Sequence, residues 1–137
     1  MTTEEGPAKL QELLADLSAL GLRGPDPALA RALSDERVPE RERVALLVAF
    51  YESLTQNAVG LLEGEQRKMD TVLSLLARES TRREPMERMR AAYGEQLRGL
   101  QAFRVFLKTG DRHALDEARE RITAGARAAQ AAAKGSG

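Results

Sequence analysis

The sequence has no cysteine and no tryptophan, a single histidine (His113), a single isoleucine (Ile122) and few aromatic residues, 4% of the chain. Without cysteine there are no disulfides, no thiolate metal sites and no cysteine nucleophile. One histidine excludes any site built on two imidazoles. The paired Glu-x-x-His motifs of di-iron carboxylate bundles are also missing, since the residue three before His113 is Gly110. Neither sign of charge is in excess, with Lys+Arg and Asp+Glu at 21 each, so no net field draws the chain to nucleic acid or to anionic lipid. There is no glycine-rich phosphate loop and no G-x-S-x-G elbow, and no nucleophile, base and acid fall at a catalytic spacing. His113, between Arg112 and Asp116, reads as a solvated surface residue. The expectation is a protein that is not an enzyme and needs no cofactor and no metal.

What is present is a chain of 137 residues and 15.0 kDa, 42% hydrophobic and 31% charged. That is one domain's worth of material, too apolar for a disordered tail and too charged for a membrane protein. Arginine outnumbers lysine 17 to 4, a bias consistent with a GC-rich bacterial genome. Thr2, Thr3, Glu4 and Glu5 open the chain in place of a charged-then-apolar signal. The longest apolar stretch, Val44 to Leu62, is interrupted by Glu52, Gln56 and Asn57, so no membrane span is expected and the expected location is the cytoplasm. Charge is unevenly spread: net −4 over residues 1–40, −1 over 41–77 and +5 over 78–137.

Four prolines mark helix starts: Pro7, Pro27, Pro39 and Pro85 each precede or open an amphipathic run, where a missing N–H is harmless. Asp26 is placed to cap at Pro27, and Thr81 with Glu84 matches a capping box. Thr109-Gly110-Asp111 is the clearest break, with Gly110 suited to the left-handed C′ conformation and Asp111 to capping the next helix. These signals predict five helices, over about 7–21, 27–37, 39–80, 85–108 and 112–133. The predicted fold is an all-α, up-down helical bundle with two short N-terminal helices, one long central helix and two of medium length at the C-terminus. It is read as a single domain over 1–133, an N-terminal hairpin (7–37) packing on a bundle core (39–133), with 134–137 a disordered tail.

The first predicted helix carries Leu10, Leu13, Leu14, Leu17 and Leu20 on one stripe. The third carries two seams. One includes Val44, Val48, Tyr51, Thr55, Ala58, Leu62, Glu65, Met69, Val72 and Leu76; the other runs Leu47, Tyr51, Leu54, Ala58 and Leu61. Two adjacent seams make a wide apolar face that touches more than one neighbour. The polar stretch 63–68, with Gly60 and Gly64, leaves open whether this helix runs straight through or breaks. In the fifth helix Leu115, Ala118, Ile122, Gly125, Ala129 and Ala132 form a mostly small-residue seam that lets another backbone come close. Glu65 and Gln96 occupy seam positions, where polar residues commonly fix register.

A third helix of about 42 residues would reach roughly 63 Å, against about 35 Å for the two that follow. The excess must be covered by the N-terminal helices or by a second copy. The function expected is therefore a non-enzymatic helical interaction module (a scaffold, adaptor or chaperone-like protein) that forms a homodimer through coiled-coil-like apolar faces and binds a further protein. The residues expected at such an interface are Leu10, Leu13 and Leu17 on the first helix and Leu62, Met69, Val72 and Leu76 on the third. One alternative is association with nucleic acid through the basic C-terminal half, by Arg78, Arg82, Arg83, Arg88 and Arg90. It is disfavoured because Glu79, Glu84 and Glu87 lie among them. Another is a small-molecule sensor with a cavity near Tyr51, Tyr93 and Phe103.

Overall fold

The computed structural model describes the backbone of residues 2–20 and 24–135, and the side chains of residues 10–20 and 24–134. It contains five helices: α1 (Thr2–Ala19), α2 (Pro27–Ser34), α3 (Glu40–Leu75), α4 (Arg83–Thr109) and α5 (Arg112–Gly135). No strand occurs among the described residues. The expected all-helical class and order of elements are therefore observed. Gly21, the expected last residue of the first helix, lies outside the described residues with Leu22 and Arg23, as do Ser136 and Gly137 of the expected tail. Lys134 and Gly135, expected in a tail, continue α5.

The chain divides into two compact units, residues 1–53 and 54–137, and α3 contributes to both. In the first unit, Asp26 caps α2 as its sequence implied: Oδ1 accepts from the Leu29 N–H at 2.8 Å, with Pro27 opening the helix. α1 begins at Thr2 rather than at Pro7. Arg43 ties the chain's entry into α3. Its Nε donates to the Val38 carbonyl (3.0 Å), its Nη1 to the Leu33 carbonyl (3.2 Å), and its Nη2 lies 3.6 Å from Glu40 Oε1. Glu40 Oε2 in turn accepts from the Leu10 N–H at 3.1 Å. One ion pair, with both side chains at least four-fifths covered, thus links α1, the exit of α2 and the start of α3.

In the second unit, α4 and α5 form a helical hairpin. Gly110 adopts φ 74°, its N–H donating to the Phe106 carbonyl at 2.7 Å. Asp111 Oδ1 then accepts from the His113 N–H at 2.9 Å to start α5. This is the break read from Thr109-Gly110-Asp111. Along the hairpin Leu97, Phe103, Phe106, Leu107, Leu115 and Ala118 are buried, and the rings of Phe103 and Phe106 stack with centroids 6.2 Å apart. A Cβ built on Gly99 would lie 2.7 Å from Ile122 Cγ1, and one built on Gly125 would lie 2.6 Å from Gln96 Cγ and 3.0 Å from the Ala92 carbonyl oxygen. The small residues of α5 do allow close approach, and Gln96 serves it by laying its methylenes against Gly125.

Two expected boundaries are corrected. α3 stops at Leu75 and not at residue 80, and the capping box of Thr81 with Glu84 does not form, because α4 starts at Arg83 with Arg82 as its uncapped N-cap. The reason is a tight turn made by other groups. The Ser80 hydroxyl accepts from the Arg82 N–H at 3.2 Å, and the Arg83 guanidinium reaches back to the Leu73 carbonyl at 2.9 Å and to that of Leu76 at 3.5 Å. A cation on the last carbonyls of a helix satisfies acceptors that have no partner within it and complements its dipole.

Candidate functional site

α3 is continuous through Gly60 and Gly64, and nothing lies within 4 Å of a Cβ built on either glycine. The second half of α3 packs on α4 by one side only. The Asp70 carboxylate pairs with the Arg90 guanidinium, Gln66 Nε2 donates to the Arg90 carbonyl at 3.2 Å, and Leu73 is buried. Away from that side Leu61 and Leu75 are largely exposed, at 73% and 80%, and Val72 is partly covered, at 39% exposure.

These three belong to one line. Continuing the seam Leu47, Tyr51, Leu54, Ala58, Leu61 in alternating steps of three and four residues leads to Glu65, Lys68, Val72 and Leu75. Leu47 and Tyr51 are buried, Leu54 and Ala58 are half-buried, and Leu61 is bare. A strict heptad on a helix of 3.6 residues per turn drifts by about 20° per heptad, so over this length the seam rotates by roughly 80° around α3. At its exposed end Lys68 Nζ lies 3.8 Å from Glu65 Oε1, with both side chains well exposed.

Of the interface residues expected from sequence, Leu10 and Leu17 are buried within the chain, at 6% and 2% exposure, and so present no surface to a partner. Leu13, Leu62, Met69 and Leu76 are half-buried, and only Val72 is exposed. The exposed strip shares Ala58, Glu65 and Val72 with the expected seam but takes Leu61 and Leu75 in place of Leu62 and Leu76, which turns its centre by about 50° around the helix. Extending the second seam past Leu61 would have found it; the polar Glu65 and Lys68 hid the period.

Three of the five arginines named for polyanion contact are engaged within the chain. Arg83 caps α3, Arg90 pairs with Asp70, and Arg88 Nη2 pairs with Glu84 Oε1 at 2.5 Å. Arg78 and Arg82 are exposed. The Asp70 carboxylate also holds the Arg90 guanidinium above its usual pKa by accepting its hydrogen bond. Across the hairpin Arg121 is shared by Glu117 and Glu95, each at 2.9 Å, and the hydrogen bond to Glu117 raises its pKa. This is a salt-bridged surface whose charge is largely spent internally. His113 is exposed, and among the described residues no group of three or more His, Cys, Asp or Glu side chains is placed to hold a metal.

By length and composition α3 is long and apolar enough to cross a bilayer, against the expectation of no membrane span, and only 17% of its most apolar stretch is buried. Glu52, Gln56 and Asn57 interrupt that apolar stretch, and polar or charged side chains at membrane depth are expensive. Comparison with known protein families, characterised proteins and solved structures finds no match.

Proposed function

We propose that this chain is a non-enzymatic helical interaction module, working in the cytoplasm as a scaffold or adaptor that self-associates through apolar helix surface and, in that form, engages a further protein. The observation that carries the proposal is the bare strip on α3, where Leu61 and Leu75 stand 73% and 80% exposed. Large apolar side chains left this exposed on one line of a helix, with a charged pair between them, are the kind of surface a partner helix covers. Fully burying a leucine contributes about 1.5–3 kcal/mol before ordering costs. A symmetric pair of strips therefore contributes to a weak, reversible dimer.

Light scattering on the purified chain tests the proposal. A concentration-dependent dimer is expected, and the double substitution Leu61→Lys with Leu75→Lys should give a monomer of unchanged helicity, because both positions lie in solvent within one chain. A strict monomer at high micromolar concentration overturns it. Flotation of the chain with neutral phosphatidylcholine vesicles, abolished by the same substitutions, would reassign the strip to lipid.

A further inference from the structure

We infer that the strip on α3 binds the same strip of a second copy in antiparallel orientation, about a two-fold axis crossing α3 between Gln66 and Arg67. The inference rests on the self-association proposed above and adds its geometry. The strip reads Ala58, Leu61, Glu65, Lys68, Val72, Leu75 in alternating steps of three and four, the spacing of a coiled-coil seam. With the axis placed there, Leu61 faces Val72 of the second copy, Glu65 faces Lys68 of the second copy, and Leu75 faces Ala58 of the second copy. The two-fold repeats each contact, so every charge on the strip meets its opposite and every apolar residue meets an apolar one.

Other arrangements fail on charge. A parallel, in-register pair sets Lys68 against Lys68 and Glu65 against Glu65. An antiparallel pair centred on Lys68 joins Leu61 to Leu75 but again opposes the two lysines. Like charges face to face at a seam are a strong device against a wrong register. The strip is free to be covered, since Leu61, Lys68 and Leu75 are each more than 70% exposed. The exposed pair of Glu65 and Lys68, 3.8 Å apart within one helix, can exchange partners with no side chain removed from a buried site. With few apolar layers, the contact falls at the small end of specific interfaces, which suits a reversible dimer.

The absence of native cysteine permits a direct test. Two single-cysteine variants, Leu61→Cys and Val72→Cys, are mixed with one carrying an affinity tag, and joined by a short bis-maleimide. The tagged product linking position 61 to position 72 should dominate over either self-linked product. Separately, Lys68→Glu and Glu65→Lys should each weaken dimerisation about tenfold, and the double variant Glu65→Lys/Lys68→Glu should return to within about threefold of the native chain. Preferential coupling of position 61 to itself, or a double variant no better than either single one, overturns the antiparallel geometry while leaving self-association intact. A native chain that stays monomeric overturns both.

Discussion

Two pairs of helix-interior glycines have opposite surroundings. Gly99 and Gly125 are the points at which α4 and α5 touch, and an added methyl would sit within 3.0 Å of backbone or side-chain atoms of the facing helix. Gly60 and Gly64, in α3, face open space. The same residue type thus marks a finished contact in one place and an unfinished surface in the other. The hairpin closes on small residues at Gly99 and Gly125, while α3 keeps Leu61 and Leu75 largely exposed. The two most exposed large apolar side chains among the described residues, Leu61 and Leu75, both lie on α3; Leu46 and Val105 are less so, at 44% and 47%.

The largest expected effect comes from attacking the closed side. Gly99→Ala places a methyl 2.7 Å from the stiff, β-branched Ile122 and 3.0 Å from its backbone nitrogen. Gly125→Ala meets Gln96 and the Ala92 carbonyl. Each should lower stability by about 1–3 kcal/mol, the usual range for overpacking, even though alanine is the better helix former. Chemical denaturation measures it. A neutral or stabilised Gly99→Ala would mean that the hairpin is looser than the close approach of Ile122 implies.

The opposite sign is expected on the open side. Gly60→Ala and Gly64→Ala meet nothing and restrict the unfolded chain, so each should raise stability by about 0.5–1 kcal/mol. Urea midpoints of the two single variants check this. A loss at either position would show that something packs on that face.

Much of this contrast was legible in the sequence, and the rest fails for definite reasons. Caps and breaks are local chemistry: Asp26 before Pro27, and Gly110 before Asp111, involve neighbours a few residues apart and appear as read. The close approach of α5 was legible because small residues recur at helical spacing. The end of α3 was not, since the group that caps it, Arg83, lies 7 and 10 residues beyond the carbonyls it reaches. Nor did the stripe of α1 announce its own burial: periodicity shows that Leu10 and Leu17 share a face but not whether the chain itself encloses them. The arginine run showed its charge, but the pairing of Arg90 with Asp70, 20 residues away, depends on how α3 meets α4. The exposed strip was masked by Glu65 and Lys68, which break the apolar pattern at the very positions that would give the surface its specificity.

The smallest expected effect tests the covered end of the same seam. Tyr51 is 3% exposed, and burial pushes its phenol above the usual value of 10, because the phenolate is poorly solvated there. The folded state therefore holds this proton more tightly than the unfolded state. The resulting stabilisation is fully present below pH 10 and is lost as pH rises through the folded-state value. Denaturation of the native chain and of Tyr51→Phe, compared between about pH 8 and pH 11, isolates this contribution from the other groups that titrate there. The native chain should lose stability more steeply than the variant above pH 10. Parallel losses would mean that Tyr51 is solvated when ionised, and the seam would then be open at both ends, removing the distinction between its covered start and its bare finish at Leu75.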